Sequence, residues 1–266
     1  MSDKRHPDLV QQLEELIRWE QRIYGNTPLP GSGNPGTDKS AIRQDGADTD
    51  EREPEEGGEE IQAAPENSAV ASTPSTPAEC RTLEELEHLA RSSTELKTDL
   101  EGTNPVFGVG DPAADLMIIG EAPGYHEDQQ GEPFVGKAGQ LLDKILQAIE
   151  FKREEVYIAN ILKHRPPRNR DPKPEERERS LPWLKRQIEL IDPRLILCLG
   201  RVSATTLLGV EDSLGNLRSR FHPFMGRELM VTYHPAALLR NPQWKRATWQ
   251  DVQMLRKRYD ELRRNV

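Results

Sequence analysis

Short apolar segments alternate with longer helical patterns through the second half of the chain, and this alternation constrains the fold more than any other feature of the sequence. The apolar segments read LMIIG, VYIANIL, LILCLG and ELMVTYH. Apolar residues recur with helical spacing between and after them, at 138–149, 174–191, 201–208 and 247–263. Parallel strands need a crossover connection, which is usually a helix. The sequence therefore predicts an α/β fold, a three-layer α/β/α sandwich with a mostly parallel central sheet.

The first 80 residues differ in composition from the rest. Residues 7–24 place leucine and isoleucine on one helical stripe, which predicts an amphipathic N-terminal helix within 1–25 and a surface for a protein partner. Residues 26–80 are rich in Pro, Gly, Ser, Thr and acid, so burial of apolar surface cannot offset the entropy of ordering them. We predict a disordered acidic linker there and a folded domain at 81–266.

Charge and cysteine content narrow the function classes. Residues 1–100 carry a formal net charge of −12 and residues 101–266 one of +3, so the folded part permits a polyanionic partner. Of the two cysteines, Cys198 lies inside LILCLG, which predicts a buried core residue. No apolar run approaches about 18 residues and no signal-peptide pattern is present. The sequence therefore predicts a reduced, cytoplasmic protein with no membrane contact.

Polar residues follow the predicted strands at their carboxyl ends, where ligands bind in open α/β sheets. Glu121 follows LMIIG, Asn160 lies late in VYIANIL, and His234 ends ELMVTYH. The segment 120–142 is rich in glycine and carboxylates, and loops this long in compact domains are usually functional. An asparagine amide presents an acceptor and donor protons in one plane, which matches the edge of a pyrimidine. These positions predict a functional site at one end of the sheet.

Two further segments have features of a nucleic-acid surface. The first is basic and interrupted by prolines that keep it out of a helix, and its cations predict contacts to phosphate: Lys163, Arg165 and Arg168. The second follows the last strand and ends in Leu238, Leu239 and Arg240. Two interpretations of its leucines stay open. They are buried anchors, or they form a wedge that enters a base stack while the arginine contacts phosphate.

Four segments together resemble a known family. They read GEAPGYHEDQQGEPFVGKAGQLL, ANILKHRPPRNRDP, CLGRVSATTLLG and HPAALLRNP, and their order and spacing are similar to those of the family 4 uracil-DNA glycosylases over about 106–258. The resemblance implies that 81–266 is a uracil-DNA glycosylase-like catalytic domain. Such an enzyme acts in base excision repair and hydrolyses the N-glycosidic bond of uracil that is flipped out of DNA. Uracil-containing DNA is the implied partner.

The resemblance also implies roles for single residues. It implies that Glu121 orients water or stabilises the developing sugar cation, and that His234 donates a hydrogen bond to uracil O2 as negative charge builds on the leaving base. It implies that Asn160 reads the uracil edge, that Phe134 stacks on the ring and that Glu127 excludes thymine at C5. The loop implied to enter the minor groove is Leu238, Leu239 and Arg240.

The chain departs from the family at its iron–sulfur cluster. Members usually hold a four-iron, four-sulfur cluster with four cysteines, and the corresponding positions here are Ser93, Leu96, His164 and Ser180. Since none is cysteine, we predict no cofactor and no metal. Two functions stay open: an active, cluster-free, monomeric uracil-DNA glycosylase, and a catalytically silent DNA-damage-binding protein of the same fold. A relative that attacks the abasic sugar covalently is disfavoured, because the stretch after NILKH is short and rich in proline.

Overall fold

A computed structural model of the protein describes residues 74–264. The predicted N-terminal helix and most of the predicted linker lie outside the described residues. The described part begins with a 3₁₀-helix at Pro77–Glu79, and Cys80 behind it is buried. The Arg186 side chain donates two hydrogen bonds to the carbonyl oxygen of Cys80, at 2.9 and 2.7 Å. The prediction of a disordered linker is therefore wrong for 77–80, because residues 77–79 form a 3₁₀-helix and Cys80 is bonded to the folded domain.

Six strands form one sheet in the order β1-β3-β2-β4-β6-β5. They are β1 (Val109–Gly110), β2 (Leu116–Gly120), β3 (Tyr157–Asn160), β4 (Leu195–Leu199), β5 (Phe221–Phe224) and β6 (Arg227–Thr232). The four central strands pair in parallel, and the two edge strands pair antiparallel with their neighbours. Because the central strands are the four apolar segments of the sequence, the predicted mostly parallel sheet is confirmed.

Within residues 74–264, eight α-helices connect and cover the strands. They are α1 (Leu83–Ser92), α2 (Tyr125–Gln130), α3 (Lys137–Ala148), α4 (Pro174–Ile191), α5 (Arg201–Leu208), α6 (Leu214–Leu217), α7 (Pro235–Arg240) and α8 (Lys245–Arg264). The four helices predicted from periodicity are α3, α4, α5 and α8, and all four are confirmed. None of the helices in this part of the chain has the length and apolar character needed to cross a membrane.

Apolar side chains cover both faces of the sheet. In β2, Leu116 and Ile118 pack into a cluster with α3 and α8. Met117 and Ile119 point to the other face and pack into a cluster with α4 and α5. All residues of β2 and β4 are buried, including Cys198 as predicted, because a strand covered on both faces has no solvent side. Two helical layers around one sheet give the predicted three-layer α/β/α sandwich.

A third apolar cluster, here called the N-terminal cluster, joins α1 to α4. It consists of Cys80, Leu86, Ala90, Leu96, Phe107 and Trp183. The indole Nε1 of Trp183 donates a hydrogen bond to the Glu95 carboxylate at 2.6 Å, so the polar edge of this buried ring is satisfied. The cluster fixes the first described segments against the long helix that follows β3.

Candidate active site

A cleft of about 670 Å³ opens at the carboxyl ends of the central strands. At the carboxyl end of each central strand, a residue lines the cleft. These residues are Glu121 after β2, Asn160 at the end of β3, Gly200 after β4 and His234 after β6. The chain places the cleft there because the carboxyl ends of parallel strands meet at one edge of the sheet. The structure brings six of the predicted site residues together in this cleft: Glu121, Glu127, Phe134, Asn160, His234 and Arg240.

Asn160 presents an unsatisfied acceptor to the cleft. The residue is 2% exposed, and its Oδ1 has no hydrogen-bond partner. Across the strand pair it is in register with Gly120 of β2. A Cβ on Gly120 would lie 2.3 Å from Asn160 Oδ1 and 2.6 Å from the Phe134 ring, so glycine is required for both side chains to reach the cleft. Because buried polar atoms are normally paired, this oxygen indicates a donor on a ligand.

Phe134 forms an apolar wall of the cleft from a strained backbone. Its φ is 55°, in the left-handed region that residues other than glycine rarely adopt. Gly139 of α3 allows this arrangement, since a Cβ there would lie 1.8 Å from the Phe134 carbonyl oxygen. The Phe134 and His234 rings stack with their centres 5.5 Å apart and their planes 29° apart. Strain of this kind is typical of functional sites, where the surrounding structure holds the residue in place.

Glu127 holds the loop that carries Phe134. Its Oε1 accepts hydrogen bonds from the backbone N–H groups of Val135 and Gly136, both at 3.2 Å. Gly136 is the N-cap of α3, so the carboxylate also lies where the helix dipole favours negative charge. This positioning contact is not apparent in the sequence. The exclusion of thymine by Glu127 stays a prediction.

His234 is fixed as a neutral hydrogen-bond donor. Its Nδ1 accepts a hydrogen bond from the backbone N–H of Ala236 at 3.2 Å, which places the ring proton on Nε2. Burial, and to a smaller extent the nearby Arg240 charge, lower the pKa of His234 to about 4, while the charge of Glu127 opposes the shift. Gly200 has a φ of 95°, and a Cβ there would lie 3.2 Å from the Cβ of His234. At neutral pH the imidazole therefore donates from Nε2 without a charge.

Glu121 has a pKa suited to a general base that acts near neutral pH. Burial, and to a smaller extent the negative charge of Asp171, raise the pKa of its carboxyl to about 7, while the charges of Arg201 and Arg177 oppose the shift. The Glu121 carbonyl accepts a hydrogen bond from Leu162 N at 3.1 Å, which ties it to the end of β3. A carboxyl group that gains and loses its proton near pH 7 is suited to general acid–base chemistry.

Comparison with known proteins places the part of the chain that carries the cleft in one superfamily. A family model described as the Uracil DNA glycosylase superfamily matches residues 107–253. The chain belongs to this superfamily. It is 46% identical over 149 residues to a type-4 uracil-DNA glycosylase of Archaeoglobus fulgidus, which covers 53% of this chain and 75% of the relative. It is 39% identical over 182 residues to a type-4 enzyme of Pyrobaculum aerophilum, with 65% and 92% covered. A type-5 uracil-DNA glycosylase of Thermus thermophilus is 32% identical over 154 residues, with 49% and 68% covered.

In this superfamily member, Lys163 is not available to DNA. The side chain is 0% exposed, and its Nζ donates hydrogen bonds to Phe107 O at 3.1 Å, Asn160 O at 3.0 Å and Gln187 Oε1 at 2.5 Å. Burial lowers the pKa of Lys163 to about 7. The prediction that Lys163 contacts phosphate is wrong, because the aliphatic stem carries the ammonium inward to three oxygen acceptors. Lys163 instead joins the end of β3, and with it Asn160, to α4.

A Lys163→Met variant is expected to lower the free energy of unfolding by about 1–3 kcal/mol, because buried oxygen acceptors lose their donor. Urea unfolding followed by circular dichroism measures this change. Lys185→Met is the matched control, since Lys185 lies exposed on α4 close to Gln187 and should change stability by less than about 0.5 kcal/mol. Equal stabilities of the two variants would contradict the structural role of Lys163.

The two leucines of α7 have opposite environments. Leu238 is 0% exposed and belongs to the apolar cluster on the α3 and α8 face of the sheet, whereas Leu239 is 45% exposed. Arg240 is exposed and lines the cleft. For Leu238 the wedge interpretation is therefore wrong and the anchor interpretation is confirmed, because consecutive residues of a helix point in different directions. Leu239 and Arg240 are exposed, and their contacts to a DNA duplex stay predictions.

Alanine substitutions distinguish the role of Leu238 in stability from the role of Leu239 in activity on duplex DNA. Leu238→Ala is expected to lower the free energy of unfolding by about 2–5 kcal/mol, because it leaves a cavity in the core. Leu239→Ala should change stability by less than about 0.5 kcal/mol but slow uracil release from duplex DNA. Thermal unfolding and excision from a duplex oligonucleotide measure the two effects. A stable Leu238→Ala variant, or an unchanged duplex rate for Leu239→Ala, would oppose this division of roles.

The other cations of the basic loop also differ from one another. Arg170 pairs with the Glu176 carboxylate at 2.6 Å and with Asp99 at 3.2 Å, so its charge is neutralised within the domain. Arg168 is exposed and has a φ of 54°, and Arg165 is half-buried. DNA contacts by Arg165 and Arg168 stay predictions.

Several cleft residues are absent from the sequence-based prediction. They are Asp171, Arg201, Tyr233 and Trp244. Arg201 could have been identified from the rule that ligands bind at the carboxyl ends of the strands, because it directly follows the glycine that ends LILCLG. Tyr233 and Trp244 stack with their rings 4.8 Å apart, a pairing that no local pattern of the sequence indicates.

The residues at the cluster positions do not fit a four-iron, four-sulfur cluster. Leu96 is buried in the N-terminal cluster, and His164 Nδ1 lies 2.9 Å from Thr103 Oγ1. His164 Nε2 is buried without a hydrogen-bond partner, but one imidazole cannot replace four thiolates. The whole chain has two cysteines, and Cys198 lies within the sheet. No group of three or more metal-binding side chains occurs within 74–264. The absence of the cluster stays a prediction that iron analysis of anaerobically purified protein can test.

Proposed function

We propose that this protein is a uracil-DNA glycosylase that hydrolyses the N-glycosidic bond of a uracil nucleotide flipped out of DNA. The observation that carries the proposal is the unpaired Oδ1 of Asn160, which lies in a cleft with the Phe134 and His234 rings. Membership of the superfamily and relatives named uracil-DNA glycosylase support it. Extrusion of the nucleotide is needed because the bond is not accessible inside a base stack.

Asn160 and Phe134 recognise the base in this proposal. The Asn160 Oδ1 accepts a hydrogen bond from N3–H of uracil, while its Nδ2 donates to O4. Cytosine carries an amino group at position 4 and no proton on N3, so the same amide would face two mismatched groups. The Phe134 ring provides an apolar face on which the pyrimidine stacks. The expected result is selection of uracil over cytosine by hydrogen bonding.

His234 and Glu121 perform the chemistry. As the bond between C1′ of the sugar and N1 of uracil breaks, its electron pair moves to the base and negative charge builds at O2. The neutral imidazole of His234 donates a hydrogen bond from Nε2 to this oxygen. The Glu121 carboxylate stabilises the developing sugar cation and accepts the proton of the water that adds to C1′. The departing uracil anion takes up a proton from solvent at N1, and Glu121 later releases its own proton to solvent, so the products are free uracil and an abasic site.

Excision from a uracil-containing oligonucleotide tests the proposal. The wild-type protein should produce alkali-labile sites, and Asn160→Ala should bind the same DNA but release uracil at least about 100-fold more slowly. The alternative, a catalytically silent protein that binds damaged DNA, makes the opposite prediction. Folded wild-type protein would then bind the DNA tightly and release no uracil at high enzyme excess. That result would refute the glycosylase. The retained set of Glu121, Phe134, Asn160 and His234 favours activity.

The acidic N-terminal part should reduce affinity for DNA. Deletion of residues 1–73 is expected to leave uracil excision unchanged at high salt and to raise it at low salt, because the deleted residues carry excess negative charge. The measurement is kcat/KM over a range of salt concentrations. A marked loss of activity would contradict this expectation. A protein partner for the N-terminal helix, a monomeric state and a cytoplasmic location stay proposals.

A further inference from the structure

An exposed aromatic side chain lies at the mouth of the cleft and takes no part in the chemistry proposed above. Tyr125 begins α2 and is 53% exposed, more than any other large apolar side chain within 74–264. It directly follows Gly124, which lines the cleft. Leu239, which is also exposed, directly precedes Arg240, another residue that lines the cleft. Two exposed apolar side chains therefore each adjoin, along the chain, a residue that lines the cleft.

The Tyr125 ring is held in a defined position. The guanidinium carbon of Arg165 lies 5.1 Å from the ring centre, and His126 packs against the ring edge at 5.5 Å. Arg165 is itself fixed, since its Nε donates to Asn169 Oδ1 at 2.7 Å and its carbonyl accepts from Thr98 Oγ1 at 2.6 Å. Asn169 also lines the cleft. A ligand that stacks on Tyr125 therefore meets an ordered surface and bears little entropic cost of arranging it.

Arg165 retains its charge for a ligand. Its neighbour Arg170 is paired with Glu176 and Asp99. No carboxylate in the described part of the chain forms an ion pair with Arg165, and only one of its five N–H donors is bound to Asn169. The guanidinium can therefore donate to a phosphate oxygen while it remains over the tyrosine ring. An aromatic face beside an available cation is the combination that holds single-stranded nucleic acid in other proteins.

We propose that Tyr125 and Arg165 form a binding site for the nucleotide that adjoins the extruded uracil in single-stranded DNA. The base of that nucleotide stacks on the phenol ring, and its phosphate accepts a hydrogen bond from the guanidinium. In a duplex the adjoining base is already paired and stacked, so it gains little from the site. In a single strand the base is free to leave its neighbours. The proposal rests on the uracil pocket proposed above.

The test compares two substrates of one sequence, a uracil-containing single strand and its duplex, at the same salt concentration. Tyr125→Ala should lower kcat/KM on the single strand about ten-fold, and kcat/KM on the duplex by less than about three-fold. Tyr125→Trp, which keeps an aromatic face, should retain the single-strand activity. Met254→Ala is the matched control, because Met254 is an exposed apolar residue of α8 that does not line the cleft. Unchanged melting temperatures show that each variant is folded.

A fluorescent base reports the stacking directly. With 2-aminopurine placed 5′ or 3′ of uracil, the wild-type protein should quench the fluorescence at one of the two positions, and Tyr125→Ala should not. The proposal is overturned if Tyr125→Ala keeps full single-strand activity, or if it loses activity equally on both substrates. If instead the proposed uracil pocket is wrong, the result differs. The Asn160→Ala variant would then keep its activity, whatever the effect of the Tyr125 variants.

Discussion

A Glu121→Gln variant is expected to release uracil about 10²- to 10⁴-fold more slowly than the wild-type protein at pH 8. Burial and Asp171 raise the pKa of Glu121 to about 7, so the carboxylate is mostly ionised at pH 8 and mostly protonated at pH 6. Only the ionised form can accept the proton of water and stabilise the sugar cation. The wild-type rate should therefore rise between pH 6 and pH 8 with a midpoint near 7. Glutamine has no such proton to lose, so the residual rate of the variant should not rise in this way.

Single-turnover rates across this pH range test the assignment. Asp171→Asn removes a negative charge that raises the Glu121 pKa, so the midpoint should move to lower pH while the maximal rate is retained. Glu175→Gln, at an exposed position of α4, is the matched control and should leave the profile unchanged. If Glu121→Gln keeps the wild-type midpoint, another group controls the rate and the role of Glu121 is wrong.

Loss of the His234 imidazole should have the second large effect. A His234→Ser variant is expected to slow uracil release by about 10²- to 10³-fold, the usual result of removing one preorganised donor to a developing negative charge. Serine is chosen because His234 is the N-cap of α7, and a serine hydroxyl can take over that capping role. Since burial lowers the His234 pKa to about 4, the imidazole stays neutral between pH 6 and pH 8. The variant should therefore keep the pH midpoint near 7 that Glu121 determines.

The leaving group distinguishes a chemical role of His234 from a structural one. A 5-fluorouracil nucleotide forms a more stable anion than uracil, so it needs less help from a donor at O2. His234→Ser should consequently lose less activity on 5-fluorouracil than on uracil. His88→Ala, at an exposed position of α1, is the control for general effects of removing an imidazole. An equal loss on both bases would show that His234 supports the fold of the cleft rather than the departure of the base.

Local patterns predict the central part of the fold because they report burial on both faces of a strand. The segments LMIIG and LILCLG are continuously apolar, and each forms a central strand in which all residues are buried. The edge strands are not apparent in the sequence. β1 has only two residues, and β5 contains Pro223, which is typical of an edge where a backbone donor is not needed. The position of β1 depends on pairing with β3, which is distant in sequence, whereas β5 pairs with β6, the next strand along the chain.

The sequence by itself determined the layer order, the edge of the sheet that carries the cleft and six of the side chains that line it. Strand direction and helix spacing suffice for this, because every central strand must end at the same edge. Only the tertiary structure decided where individual polar and apolar side chains point. Lys163 looks like a surface cation in the basic loop but is fully buried, and Leu238 and Leu239 are alike in sequence but opposite in exposure. The physical reason is that desolvation of one side chain depends on neighbours distant along the chain, such as Phe107 and Gln187 around Lys163, which no local window contains.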